Sequence, residues 1–402
     1  MLELEDALSR ILSALPPPTP ESVPLREAAG RVLADEVTSP IDLPPFDNSA
    51  VDGYAVRAAD TAGASNGAPV GLRLLGRVPA GQAFAGELAG GACVQLFTGS
   101  PLPRGADAVV MQEDTRVDAA RPDTVRVIAP AAAGDHVRRQ GGDVAAGAIV
   151  SEAGQRMTAA RLALLAAAGV PAMRVGRQPS VGLLATGSEL REAGQPLAPG
   201  LIYESHRVAL AEGVTQAGGR PRVYPIVPDS LAATRAALAT ALAECEIVVT
   251  CGGVSVGEMD FVKSAFEQLG GELQFWQVAI KPGRPFAFGR RGRAFLFGLP
   301  GNPVSALVTF ALLVRPALLR WQGARDIFLP TQPGVLGAAL ANGDPRRHFM
   351  RVRVDPHGQV FSAGAQASHV LSALAQADGL VDMPAATSLP RGSSVRVLRW
   401  GG

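Results

Sequence analysis

The segment from Glu246 to Gly270 restricts the fold more than any other part of the chain. Ile247-Val248-Val249-Thr250 is a run of β-branched residues suited to a strand buried on both faces. A glycine loop follows, Cys251-Gly252-Gly253-Val254-Ser255-Val256-Gly257. Behind it, Phe261, Val262, Ala265, Phe266 and Leu269 recur at helical spacing, and Asp260 stands where an N-cap belongs. Strand, glycine loop and helix in this order read as one unit of an open α/β sheet, and backbone N–H groups at such a helix start bind anions. No Walker A lysine and no G-x-G-x-x-G is present, so the loop has no ordinary ATPase or dinucleotide reading.

The surrounding pattern extends this reading. From residue 173 to 322, strands and helices alternate, which predicts a three-layer α/β/α domain with a mainly parallel sheet. Val181 to Ala185 is a strand ahead of Thr186-Gly187-Ser188-Glu189-Leu190. Glu204, Ser205 and His206 are expected on a helix, Val223 to Val227 on a strand, and Pro228-Asp229-Ser230 at a helix cap. Phe295-Leu296-Phe297 ends in Gly298-Leu299-Pro300-Gly301-Asn302-Pro303-Val304-Ser305, which opens a long helix to Leu319. Ligands in open α/β sheets collect beyond the carboxyl ends of the strands, where these loops would meet.

The flanking regions have a different texture. Residues 1–39 read as N-terminal helices and a prolyl linker that pack with the helical segment 136–172. Residues 40–135 are glycine-rich with short apolar runs, and residues 323–402 return to strands; both read as small β-domains. Asp47, Asn48, Ser49 and Asp52 crowd a proline-bounded loop. They serve either as turn-forming residues or as an oxygen-rich rim for a polar ligand.

Composition narrows the function. A net charge of +1 over 402 residues argues against a nucleic-acid or polybasic membrane surface. No uninterrupted apolar run reaches spanning length, and the acidic, amphipathic start does not read as a signal peptide, so a cytoplasmic protein is expected. Three cysteines without C-x-x-C spacing indicate neither a disulfide framework nor a zinc site. The histidines (His136, His206, His348, His357 and His369) lack metal-ligand spacing and are expected at surface or turn positions.

Cations and helix starts (Gly252, Gly253, Ser255, Lys281, Arg284, Asn302, Ser305) are combined with the carboxylates Glu189, Glu204, Asp229 and Asp260. A mixed set of this kind suits phosphate or oxyanion chemistry, with Mg²⁺ held by a few carboxylates.

Five strings occur in order along the chain. They are Asp47-Asn48-Ser49-Ala50-Val51-Asp52-Gly53-Tyr54-Ala55, Phe97-Thr98-Gly99-Ser100-Pro101, the 252–257 loop with Asp260, Lys281-Pro282-Gly283-Arg284-Pro285, and Gly298 to Ser305. Together they resemble the molybdopterin molybdenumtransferase family, which includes MoeA and the E domain of gephyrin. The resemblance implies a homodimer of elongated subunits. It also implies an insertase reaction in which adenylyl-molybdopterin and molybdate give molybdenum cofactor and AMP, with Mg²⁺. Asp52, Thr98, Asp143, Glu189, Asp229 and Asp260 would match the family's functional acids and hydroxyl, and Glu189, Glu204 and Asp260 would hold the metal. Gly252, Gly253, Ser255, Lys281, Arg284, Pro300, Asn302 and Ser305 would line the pterin and oxyanion pocket, with Arg351 and Ser368 approaching from the C-terminal domain. Molybdopterin adenylyltransferase and apo-molybdoenzymes are the partners this implies.

Two strings depart from the family's form. Its Thr-Gly-Asp-Glu-Leu reads Thr186-Gly187-Ser188-Glu189-Leu190, and its Tyr-Asp-Ser-Asn reads Tyr203-Glu204-Ser205-His206. A weaker metal end is expected. The second reading is therefore an insertase-deficient paralogue that carries molybdopterin or oxyanion, or scaffolds a partner as gephyrin does.

Overall fold

The structure, a computed structural model, describes residues 1–118, 120–254 and 260–399. Its central sheet has the strand order Arg220–Val223, Ser180–Ala185, Ile247–Cys251, Ala294–Leu299, Ala287–Arg291, Glu272–Trp276. The first four strands are parallel and the last two join antiparallel. Alternation along the buried strands sorts the two faces. Val181, Leu183, Ile247, Val249, Phe295 and Phe297 pack with helices His206–Gln216 and Pro303–Thr309. Leu184, Val248 and Leu296 point the other way, toward Leu231–Glu244 and Val262–Gln268. This is the three-layer α/β/α arrangement that the pattern predicts.

Three local expectations are corrected. The strand expected at Val223 to Val227 lies at Arg220–Val223. The Tyr224 N–H still donates to the Leu183 carbonyl at 3.0 Å, but the next bond to this neighbour comes from the Val227 N–H, to the Ala185 carbonyl at 2.9 Å. Three residues thus stand against two, and the extra one ends the regular ladder before Val227 bridges Thr186. Glu204 and Ser205 precede their helix, which begins at His206. The helix behind the glycine loop begins at Val262 with Phe261 in the N-cap position, so Asp260 stands one residue further out. Ser230 does cap its helix, accepting from the Ala233 N–H at 3.2 Å.

A mixed six-stranded sheet, Ala108–Met111, Gly53–Val56, Ala92–Leu96, Val70–Val78, Arg121–Val127, Thr115–Asp118, lies earlier in the chain. A third sheet closes on itself: Arg347–Val354 pairs with Gln359–Ser362 on one side and Gly379–Met383 on the other. Thr331–Leu336 and Ser394–Arg399 complete the ring. Ile280–Lys281 adds to this ring in parallel, opposite Arg347 and His348. Lys281 is thereby carried from the α/β domain onto the C-terminal sheet. The N-terminal helix Leu4–Ala14 buries Leu4, Ala7 and Ile11 in the α/β core.

Pro303–Trp321 forms a continuous helical rod whose middle turn, Phe310–Val314, is π-helical. By length and composition it could cross a membrane, but 83% of it is buried inside the protein, and it is the core helix of the α/β domain.

Candidate functional site

Loops leaving the parallel strands meet at their carboxyl edge. Gly252 and Gly253 have φ of +85° and +67°, a region that disfavours side chains. Space imposes the same choice: a Cβ on Gly252 would stand 2.8 Å from the Thr186 carbonyl oxygen, and one on Gly253 would stand 2.7 Å from Val262. A Cβ on Gly301 would reach the Gly252 Cα at 3.6 Å, so the loops after Ile247–Cys251 and Ala294–Leu299 touch. Thr186 completes the edge, its N–H donating to the Cys251 carbonyl at 3.0 Å. Ser255 lies outside the described residues.

Trp276 holds this loop from behind, a role that sequence reasoning missed. Its indole N–H donates to the Val254 carbonyl at 2.7 Å, and the Lys263 ammonium sits 3.6 Å from its ring centroid. One side chain thus ties together the loop's start and the helix that follows.

The acids of this edge fall into distinct settings. Glu189 is exposed. Ser188 and Asp229 bond reciprocally, from the Ser188 N–H to Asp229 Oδ2 at 2.9 Å and from the Asp229 N–H to the Ser188 hydroxyl at 3.0 Å. Asp260 is partly buried. Glu204 is placed differently from its expected metal role: its carboxylate is only 3% exposed and is filled by neighbours. It accepts from the His206 N–H and from the Arg207 N–H and Nε. Arg207 also binds Glu192 and the Tyr224 carbonyl. Burial alone would raise the Glu204 carboxyl, but these donors outweigh it and hold it down at about 2. Among the described residues, no three His, Cys, Asp or Glu side chains are grouped so as to hold a metal.

Part of the oxyanion set, Asn302 and Ser368 with Arg351 behind them, lies at the junction with the C-terminal ring. Asn302 donates its side-chain amide to the Ser368 hydroxyl at 3.0 Å, and the Val304 N–H donates to the Ser368 carbonyl at 3.1 Å, so Ser368 is seated on the start of the core helix. Pro300 and Ser305 are buried beside it, whereas Arg284 is exposed. Arg351 is fully buried. Its Nη2 donates to the carbonyls of Ala365 and Ala367 at 2.7 and 3.2 Å, while Nε and Nη1 have no hydrogen-bond partner. Burial lowers the affinity of this guanidinium for its proton, and no carboxylate among the described residues compensates its charge. Two unpartnered nitrogens on a buried cation, beside the Ser368 segment that is seated on a helix start, favour an anion.

Lys281 approaches Asp344 at 3.4 Å, and Arg346 grips the same carboxylate at 2.9 and 3.0 Å. Arg346 foremost, with help from Lys281, keeps Asp344 well below the usual carboxylate range. His348, across the ladder from Lys281, corrects the surface expectation for histidines. It is 3% exposed, its Nε2 is unpartnered, and burial, followed by Lys281 and Arg351, pushes its pKa down to about 4. His206 is buried as well.

The remaining candidates sit on the small β-sheet and its loops. Thr98 donates its N–H and hydroxyl to Asp52 Oδ1 at 2.8 and 2.9 Å, and those donors lower the Asp52 pKa. Asp143 is exposed, with its N–H on the Leu43 carbonyl. Asn48 donates to the Phe46 carbonyl and Ser49 to the Val51 carbonyl, locking the loop's own turns, whereas Asp47 accepts from Arg139 and the Gln140 N–H and so ties the loop to a distant segment. Among the described residues, no hydrogen bond or ion pair joins Asp52, Thr98 or Asp143 to the α/β loops.

Comparison with known proteins agrees along the whole chain. Residues 2–169 match the model of the MoeA N-terminal region (domain I and II), residues 182–320 that of a probable molybdopterin binding domain, and residues 333–400 that of the MoeA C-terminal region (domain IV). The molybdopterin molybdenumtransferase of Haemophilus influenzae is 38% identical over 384 residues, covering 94% of this chain and 93% of its own. Molybdopterin molybdenumtransferase 2 of Mycobacterium tuberculosis H37Rv is 42% identical over 371 residues, covering 91% of each. The crystal structure of the molybdopterin biosynthesis moeA protein from Pyrococcus horikoshii OT3 superposes with a TM-score of 0.82 at 31% identity, covering 100% of both chains. A glycine-loop α/β domain, an uncompensated arginine at its C-terminal junction and these matches have one reading: the chain belongs to the MoeA family of molybdopterin molybdenumtransferases.

Proposed function

We propose that this chain is the molybdenum insertase of molybdenum cofactor biosynthesis, a transferase that converts adenylyl-molybdopterin and molybdate to molybdenum cofactor with release of AMP. The observation that carries the reading is Arg351: a fully buried guanidinium with two unpartnered nitrogens, beside a serine docked on a helix start. Molybdate is a tetrahedral dianion, and charge-assisted N–H donors hold such ions. Arg351 and Ser368 bind it from the C-terminal ring, and Lys281 adds charge from the strand that links the two domains. The Gly252-Gly253 loop, pinned by Trp276, presents backbone to the pterin phosphate.

Asp52, Thr98 and Asp143 act on the nucleotide end. That no hydrogen bond or ion pair among the described residues joins them to the α/β loops within one chain supports a homodimer in which the small β-domain of one subunit meets the α/β domain of the other. Mg²⁺ would be held by Glu189 and Asp260 with substrate phosphates, and when bound it would neutralise charge at the anhydride. Glu204 is left out of this set because Arg207 and the helix start fill its oxygens. A cytoplasmic location, and exchange with molybdopterin adenylyltransferase and apo-molybdoenzymes, belong to the same proposal.

Equilibrium dialysis with molybdate tests the pocket. Arg351→Met should weaken binding by about 1.5–3 kcal/mol, the scale of hydrogen bonds to charged groups. Ser368→Ala, a milder change, should weaken it in the same direction. Unaltered binding in both variants would remove the junction from the site.

A further inference from the structure

A second cation-rich cavity, of about 370 Å³, lies along the core helix, well beyond the helix start where Ser368 docks. Its floor is apolar, built from Leu307, Phe310 and Leu329, and its rim carries Arg156, Arg315 and Arg399. The π-helical turn Phe310–Val314 forms part of the floor and leads directly into Arg315. Turns of that kind recur at functional sites. Gly213 lets the neighbouring helix close in on this turn: a Cβ there would stand 2.7 Å from the Phe310 ring.

The charges of this cavity are not balanced. Arg315 is partly buried and donates to the Ile327 carbonyl at 2.9 Å, and Arg156 donates its Nε to the Gly30 carbonyl at 2.9 Å. Among the described residues, no carboxylate lies within ion-pairing distance of Arg156, Arg315 or Arg399. Glu212, the acid on the lining, accepts from Gln216 at 2.9 Å. Burial, and after it the Arg156 charge, pulls the Arg315 guanidinium below its usual range. The larger cavity nearby, of about 630 Å³, makes the contrast clear, because its arginine, Arg347, is paired with both Glu5 and Asp382. A guanidinium has five N–H donors, and the carbonyl bonds at Arg156 and Arg315 leave most of theirs unused.

We propose that this cavity binds a small organic anion, a phosphate monoester or carboxylate with an apolar body. The arginines receive its head, and Phe310, Leu307 and Leu329 receive its body. The volume is that of a small-ligand pocket, and the combination of apolar walls with a few convergent polar groups is the usual composition of one. The cavity is separate from the junction at Arg351 and Ser368, and the proposal does not depend on the insertase reading.

Isothermal titration of the full chain with phenyl phosphate, benzoate and inorganic phosphate tests it. Saturable binding of phenyl phosphate or benzoate is expected, at least about tenfold tighter than inorganic phosphate, because the apolar floor adds to the ionic contact. Whichever aryl anion binds tighter identifies the head group. Arg315→Met with Arg399→Met should weaken that binding at least about tenfold while molybdate binding is retained, and Arg399→Met alone should weaken it by a smaller factor. Absence of saturable binding, equal binding by the variants, or displacement of the aryl anion by molybdate would each overturn the proposal.

Discussion

Ser188 and Asp229 each donate a backbone N–H to the other's side chain, at 2.9 and 3.0 Å, and so lock two loops of the α/β edge together. The serine stands where the family's usual string has an acid, and it uses that position to cap its neighbour. Ser188→Asp should add a carboxylate beside Asp229. The expected outcome is a lower Mg²⁺ concentration for half-maximal AMP release, by several-fold, since two acids attract a divalent cation more than one. A Mg²⁺ titration of both proteins checks this, and an unchanged midpoint would leave Ser188 with a structural role only.

Trp276→Phe keeps the ring over which Lys263 sits and removes the 2.7 Å bond to the Val254 carbonyl. Stability should fall by about 1 kcal/mol in urea denaturation. The pterin substrate's KM should rise several-fold through the loosened loop. A stability loss with KM untouched would separate the tryptophan from substrate binding.

Glu204→Gln should cost about 3 kcal/mol, since it leaves Arg207 buried and without the buried one of its two carboxylate partners. The same pair shapes the acid limb of stability. The folded carboxyl, held at about 2, lies below its ordinary 4.5, so its contribution is complete above 4.5 and is lost as pH falls through 2. Urea midpoints collected from pH 5 downward should decline in the wild type and flatten in the variant.

His348 acts at higher pH. Its folded pKa of about 4 lies below the ordinary 6.5, so between those values the unfolded chain binds more protons. Stability should therefore fall as pH drops from 6.5 toward 4, by up to about 3 kcal/mol from this group. His348→Gln should remove that slope. Persistence of the full slope in the variant would assign it to other groups.

Local chemistry explains which parts were legible from sequence. Ile247 to Thr250 could be read because β-branched residues favour a buried strand, and Gly252 and Gly253 because their φ values exclude side chains. Ser230 was readable as a cap by the same local logic. The strand expected at Val223 to Val227 failed because an extra residue between Tyr224 and Val227 breaks the ladder's alternation, a matter of pairing with Ser180–Ala185 that the apolar run itself does not carry. Arg351, His348 and Trp276 were not readable from their neighbours. Each depends on an element distant in sequence: the 365–367 carbonyls, the Lys281 strand and the Val254 loop. Arg351 entered the sequence reading only through family resemblance.

The most direct test of the insertase reading is AMP release from adenylyl-molybdopterin, measured with molybdate and Mg²⁺ together and with each omitted. The account predicts release that requires both ions, with a product that restores activity to an apo-molybdoenzyme. Tight substrate binding without release under any of these conditions would contradict it, and would favour a protein that carries molybdopterin without inserting the metal.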